Sequence, residues 1–346
     1  MDVKEKFEAL GGRDDAVILG IESSCDETAA AIYAGGKILS NVIASQIDIH
    51  RRFGGVVPEI ASRNHTLALP AVVDEALKEA GMSLRDVDAV GVTYGAGLIG
   101  ALLVGVSSAK ALAYAANKPL IKVNHIEAHI CANYIEHGDL KPPFLALVAS
   151  GGHTSIIEVE GYNKYKLVGS TTDDAIGEAF DKVARLIGLE YPGGPNVDRL
   201  ARLGRPVIDF CKKKPHEFGR LSYSGLKTAV VNYVHNMKQK GEEIPVEDVC
   251  ASFTAAAVEP LVETVVEAAR RSNSKTVVIA GGVASNTALR EEMKKAGERR
   301  GFNVLMPSPV YCTDNAAMVA VRAYLSAREG VNLAGLDLTP ESNLRI

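Results

Sequence analysis

The sequence predicts an α/β protein built from two similar lobes, and one device that occurs twice carries the expectation. From Val17 to Ser40 an apolar strand, VILGIE, is followed by a polar turn, SSCDET, a second apolar strand, AAAIYA, a Gly35-Gly36 turn and a third short strand. From Phe144 the same grammar returns as FLALVAS, GGHT, SIIEVE, a turn through Gly161, Tyr162 and Asn163, and YKLVGS. Helical and mixed segments follow each copy, the pattern of an internal duplication. The two polar turns are then expected to face each other across a cleft, a common place for phosphate groups.

A third observation is glycine-rich. TVVIAGGVASNTALR (276–290) reads as a buried strand, a Gly281-Gly282 turn, and a helix that starts near Ser285 or Asn286. Glycines let the backbone approach a ligand, and the free N–H groups of a helix start favour an anion or a hydrogen-bonding ribose. Packing alone also explains a single Gly-Gly turn. GVTYGAG (91–97) again sets glycines after an apolar segment and before a small-residue helix. The chain contains neither G-x-x-x-x-G-K-[ST] nor G-x-G-x-x-G, so a P-loop NTPase and a Rossmann dehydrogenase are both unsupported.

The 346 residues leave room for two domains, and 47% hydrophobic with 23% charged residues is an ordinary globular composition. A net charge of -4 gives no global attraction for a polyanion, so nucleic-acid binding needs a local basic patch or a helper subunit. Lys212, Lys213 and Lys214, or Arg51, Arg52 and Arg63, are candidates for such a patch, although either group also reads as a solvated face. Five scattered cysteines (25, 131, 211, 250 and 312) without a C-x-x-C pair fit reduced thiols in a cytoplasm. Residues 1–16 are charged, lack the apolar core of a signal peptide, and read as an extension for which disorder is the expectation. Gly97 to Ala116 is the most membrane-like stretch, but its small residues, Ser107, Ser108 and Lys110 favour a packed helix, so no membrane association is expected. The expected organisation is a first lobe over 17–138, to which 313–346 returns, and a second over 139–312.

The chemistry-bearing motif is HIEAH (125–129), answered much later by CTDN (312–315). Two imidazoles four residues apart project from one helix face, and a distant carboxylate can complete a cation site that keeps open positions. A polar helix face is the plain alternative. In the peptidase motif H-E-x-x-H the glutamate directly follows the first histidine; here it comes one position late. One position turns a side chain by about 100° around the helix axis, which disfavours Glu127 as the base of a zinc peptidase.

These motifs, with GIESSCDET (20–28), ASQIDIHRRFGGVVPEIASR (44–63), SGGHT (150–154), GEAFDKVARLIGLEYPGGP (177–195), SYSGLKT (222–228) and AGGVASN (280–286), resemble the universal tRNA threonylcarbamoyladenosine transferase family. The likeness runs from about Val17 to Leu325 in the family's order, and the 44–63 segment resembles its bacterial branch. It implies the two-lobed superfold of actin, sugar kinases and heat-shock chaperone ATPases, with an adenylate and a metal in the cleft. The implied reaction moves a threonylcarbamoyl group from threonylcarbamoyl-AMP to the N6 amine of the adenosine 3′ of the anticodon in tRNAs reading ANN codons, forming t6A. Two departures are small: Ala96 stands where the family often has proline, and Ala149 where serine is frequent.

By matched motif, the resemblance implies His125, His129 and Asp314 as ligands of one divalent metal, iron(II) or zinc. It implies Val148, Ala149, Ser150, Gly151 and Gly152 as the substrate loop, and Asp181 and Asp198 as ribose contacts. Gly194 would allow close approach at the sugar, Asn286 would contact the adenylate, and Asp26 and Glu27 would face the reaction centre. Implied partners are tRNA, a metal-free paralogous helper subunit and a small ATPase. Against this stand a small-molecule kinase or ATPase of the same superfold, a metallopeptidase and a non-catalytic scaffold. The retained histidines and Asp314 argue against the scaffold.

Overall fold

The structure, a computed structural model, describes residues 2–210 and 218–346. In chain order the first half comprises α1 (Val3–Glu8), β1 (Ile18–Glu22), β2 (Glu27–Ala34), β3 (Lys37–Ser45), α2 (Ile47–Arg51), α3 (Pro58–Glu79), β4 (Ala89–Gly95), α4 (Ile99–Ala116), β5 (Leu120–Asn124), α5 (His125–Cys131) and α6 (Asn133–Glu136). There follow β6 (Phe144–Ala149), β7 (Thr154–Gly161), β8 (Lys164–Thr171), α7 (Ile176–Leu186), α8 (Gly193–Ala201), β9 (Arg220–Leu221), α9 (Ser224–Lys240), α10 (Val246–Ser272) and β10 (Thr276–Ala280). After a 3-10 turn (Gly282–Ser285) come α11 (Thr287–Arg300), β11 (Asn303–Leu305), α12 (Pro309–Cys312), α13 (Ala316–Arg328) and β12 (Leu333–Ala334).

Two six-stranded sheets repeat one plan. In the first, β1, β2 and β3 form an antiparallel meander, and β4 and β5 extend it in parallel from β1. In the second, β6, β7 and β8 form the meander, and β10 and β11 extend it in parallel from β6. Each sheet adds one two-residue edge strand, β12 beside β5 and β9 beside β8. The central strands β1 and β6 are buried along their whole length, which explains why they read as apolar runs and not as alternating ones.

α13 brings the late part of the chain back to the first sheet, where it packs on β1, β2 and β4. Glycines make this close. A Cβ on Gly20 would lie 2.5 Å from the carbonyl oxygen of Ala316, and one on Gly91 would lie 2.5 Å from Cβ of Ala323. α5 is wedged between the two sheets: it contacts β5 and α13 on one side and β6 and β10 on the other. Ile126 and Ile130 join Phe144, Val148 and Ile157 in one buried cluster there.

The N-terminal extension differs from its expectation. It forms α1, capped by Asp2, and sinks Phe7 and Leu10 into the first lobe beside Ile18, Tyr33 and Tyr324. Asp14 meets Tyr324 and Arg328, and Arg13 meets Asp88. Burial of Phe7 on α1 and of Leu10 in the turn after it outweighs the charge around them. α4 and α10 are long and apolar enough, by length and composition, to cross a membrane. α10 is the buried core helix of the second lobe, whereas α4 packs on α3 and β4 and leaves Ile99, Leu103 and Tyr114 exposed. The four described cysteines are unpaired; Cys211 and the Lys212–Lys214 cluster lie outside the described residues.

Candidate metal centre and adenylate cleft

α5 begins where β5 ends, because Asn124 accepts hydrogen bonds from the N–H groups of Ile126 and Glu127 and so caps the helix. The first helical residue is thereby His125, and His129 lies one turn on, both buried. Their rings meet edge to face with centroids 4.6 Å apart. Asp314 reaches them from the turn before α13, with Oδ1 3.5 Å from Nε2 of His125 and 3.2 Å from Nε2 of His129. One donor atom from each lies within 4.8 Å of the others. Asn315 fixes the turn: its side chain accepts from the N–H of Met318 and donates to the carbonyl of Thr313.

His125 has a carboxylate behind it. Glu22, fully buried at the end of β1, holds Oε2 3.2 Å from Nδ1 of His125 and also accepts from Thr93 Oγ1 and the N–H of Ser24. A proton on Nδ1 leaves Nε2 free to face Asp314, the arrangement that orients metal-bound histidines. Both ring nitrogens of His129 are buried without a hydrogen-bond partner; its contact with Asp314 is close but poorly aligned for a hydrogen bond. An orphaned imidazole beside a carboxylate is what a cation site requires, so the residues present fit a divalent metal. Burial pulls His125 towards the neutral form, but the Asp314 and Glu22 carboxylates outweigh it and hold it up to about 9. Burial, then repulsion from His125, lowers His129.

Both polar turns of the repeat approach this triad. Ser24, from the β1–β2 turn, stands 3.2 Å from Nδ1 of His125. From the β6–β7 turn, His153 is pushed down to about 4 by burial and then by His125 and His129. Ser150 and His153 close that turn through two hydrogen bonds, leaving Gly151 and Gly152 exposed with open space above each Cα. Val148 and Ala149 are buried in β6, and Gly281, at φ +86°, packs its Cα against the carbonyl of Ala149 where no Cβ fits.

Asp181, Gly194, Asp198 and Asn286 lie on or at the ends of three second-lobe helices, α7, α8 and α11. Asp181, on α7, accepts from the N–H of Gly193 at 2.8 Å, and Asp198, on α8, accepts from both N–H and Oγ1 of Thr287. Asn286 caps α11 through the N–H of Leu289. Burial raises Asp181, partly offset by the N–H groups of Gly193 and Gly194. Arg290, on α11, ties the 3-10 turn to the segment before Asp314: it donates to the carbonyls of Ala284 (2.5 Å) and Pro307 (2.7 Å) and approaches Cys312 Sγ.

Asp26 accepts from Tyr191 Oη across the cleft, and Glu27 accepts from Ser45 Oγ. Burial, then the Asp26 and Asp314 carboxylates, pushes Glu27 up to about 9. Of the Arg51, Arg52 and Arg63 group, Arg51 pairs with Asp48 and Glu190, and Arg63 pairs with Glu59. Glu127 points away from the triad and forms a 2.7 Å ion pair with Arg322. Sequence reasoning did not find Glu22, Tyr191 or Arg290. For Glu22 a signal existed, an ionisable residue closing a wholly apolar strand.

Fold and site together define a two-lobed α/β protein of the actin and sugar-kinase superfold, with a His-His-Asp group that could hold a metal ion. Solved structures share this fold: full-length HypF in a phosphate- and nucleotide-bound form aligns over 91% of this chain and 46% of its own at a TM-score of 0.62 and 16% identity. Component A of the (R)-2-hydroxyglutaryl-CoA dehydratase of Acidaminococcus fermentans aligns over 90% and 99% at 0.53 and 18%. The family model for TsaD, tRNA N6-adenosine threonylcarbamoyltransferase, matches residues 37–321, and the chain belongs to that family. Enzymes of that name from Clostridium perfringens and Clostridium novyi are 54% and 55% identical over 336 residues, covering 96% of this chain and 99% and 98% of theirs.

Proposed function

We propose that this chain transfers the threonylcarbamoyl group of threonylcarbamoyl-AMP to N6 of the adenosine 3′ of the anticodon in tRNAs reading ANN codons. The convergence of His125, His129 and Asp314 in a chain of this transferase family carries the reading. An exocyclic adenine amine is a weak nucleophile, so the acyl donor must arrive activated and held in place.

In this reading Asp181 and Asp198 hold the ribose hydroxyls, Gly194 lets the sugar approach, and Asn286 faces the adenine. The exposed N–H groups of Gly151 and Gly152 receive the phosphate, with Val148, Ala149 and Ser150 holding the loop. His125, His129 and Asp314 hold iron(II) or zinc, which supplies a Lewis acid for donor oxygens. Nitrogen and oxygen ligands suit either metal. Asp26 and Glu27, the latter held up to about 9 in the metal-free site, face the incoming amine from the opposite lobe. Residues 17–138 with 313–346 form one lobe of this machine and 139–312 the other.

The helper reading is a metal-free paralogue docked on the first lobe, together with a small ATPase. Exposed Leu67 on α3 and Ile99, Leu103 and Tyr114 on α4, two helices that pack together, support it. The net charge of -4 leaves much of the tRNA surface to that assembly. Unpaired cysteines support a cytoplasmic setting.

The test is reconstitution. The chain is incubated with the helper proteins, a threonylcarbamoyl-AMP synthetase, unmodified tRNA, ATP, threonine and bicarbonate, and nucleosides are read by mass spectrometry. Threonylcarbamoyladenosine is expected with wild type and not with Asp314→Ala. Product that persists undiminished with Asp314→Ala, or no product from a competent wild-type system, refutes the reading.

A further inference from the structure

α5 is gripped from two sides by the same late segment of the chain. On one face His125 and His129 meet Asp314; on the opposite face Glu127 meets Arg322. Residue 127 lies two positions from each histidine, which sends its side chain about 200° round the axis from theirs. Arg322 lies about two helical turns beyond Asp314. The turn that carries the carboxylate ligand and the helix that carries the arginine are therefore continuous.

Arg322 is only 2% exposed and its environment is fully specified. Nε donates to Glu127 Oε2 at 2.7 Å, and a terminal nitrogen donates to Ser326 Oγ at 2.7 Å. Ser326 also accepts from Asn332. The Tyr165 ring from β8 covers the guanidinium with its centroid 5.7 Å away. Burying such a charge brings little stability, because a well-packed apolar pair usually serves as well. What an ion pair adds is direction: it fixes the rotation of α5 about its own axis.

Resting on the metal-centre reading above, we propose that Glu127 and Arg322 are positioning residues that lock the roll of α5 and so set both imidazoles against Asp314. Metal sites tolerate only a few tenths of an ångström of ligand misplacement, so a small roll of α5 is felt at Nε2 of both histidines. The glutamate of HIEAH then serves the metal centre from behind.

The test uses the full chain and cobalt(II) as the probe, with affinity and ligand-field absorption as readouts and thermal unfolding as the folding control. Wild type is expected to bind one equivalent that His129→Ala cannot hold. If wild type binds none, the metal centre falls and the strut with it. The double variant Glu127→Met with Arg322→Met keeps the volume and removes the charges, and Arg322→Lys keeps the charge and removes the fork. In variants that fold, cobalt affinity is expected to drop about 10- to 100-fold with an altered absorption band, the scale set by outer-shell metal partners. A folded variant with wild-type affinity and spectrum overturns the proposal. If neither variant folds, the pair is a determinant of the fold and the proposal is equally overturned.

Discussion

Tyr191 donates its hydroxyl to Oδ2 of Asp26 at 3.1 Å, joining the β1–β2 turn of the first lobe to the turn that precedes α8 in the second. Arg51 reinforces the contact by donating to the carbonyl of Tyr191 and pairing with Glu190. The lobes are thus pinned beside the cleft by a side chain that any ligand reaching Asp26 must displace or share.

Removing that hydroxyl isolates the bond. Tyr191→Phe keeps the ring and leaves Asp26, 6% exposed, short of a donor. A hydrogen bond to a charged group contributes about 1.5–3 kcal/mol, so the variant is expected to lose about 2 kcal/mol in urea unfolding. An unchanged midpoint would show that water replaces the phenol at no cost.

Gly20 tests the seating of α13. In Gly20→Ala the new Cβ meets the carbonyl of Ala316 at 2.5 Å and the N–H nitrogen of Ala320 at 2.6 Å, both backbone and unable to rotate away. Overpacking of this kind costs about 1–3 kcal/mol. Because Asp314 immediately precedes this helix, zinc affinity is expected to fall along with stability. Zinc binding that stays at the wild-type level in the destabilised variant would show that the ligand turn does not follow α13.

Metal binding is expected to release a proton. With His125 held up to about 9, the metal-free site carries a proton at neutral pH that a metal must displace. His129, lowered by burial, offers no second one. Zinc calorimetry in buffers of different ionisation enthalpy should report release of about one proton near pH 7, with affinity rising with pH until about pH 9. Affinity independent of pH across that range would contradict it.

Much of this was legible in the sequence for physical reasons. The duplicated lobes could be read because β1 with β2 and β6 with β7 are apolar runs broken by polar turns, a local pattern. The candidate metal triad was half legible: the spacing of His125 and His129 is local, whereas Asp314 joins them only through the fold and was reached by motif resemblance. Tyr191 and Arg290 were out of reach because each acts through contacts the fold makes, and for Glu22 the signal was the carboxylate closing an apolar strand, while its partner His125 lies far away in sequence. The pairing of Arg51 with Glu190 has the same origin, since nearness along the chain says nothing about which carboxylates the fold sets opposite.

The N-terminal extension shows composition misleading. Its charges concealed Phe7, which is 3% exposed against the first-lobe core. Phe7→Ala leaves a cavity there, and such core truncations cost about 3–5 kcal/mol. A loss below about 1 kcal/mol in chemical denaturation would mean that the helix detaches in solution.

Glu27 sets the pH dependence of the metal-free fold. Its ordinary value is 4.5, and burial with the Asp26 and Asp314 carboxylates moves it to about 9. Below 4.5 it is protonated folded and unfolded alike and contributes no slope. Between 4.5 and about 9 the unfolded chain sheds this proton while the folded chain keeps it, so the folded state binds more protons and stability falls as pH rises. Glu27→Gln removes the slope and still accepts from Ser45. In urea unfolding with chelator present, the variant should match wild type near pH 4 and gain on it steadily up to about pH 9. Zinc should shrink the difference, because a cation beside Asp314 cancels part of the repulsion that keeps Glu27 neutral. Parallel wild-type and variant curves from pH 5 upward would show that Glu27 is already ionised in the fold.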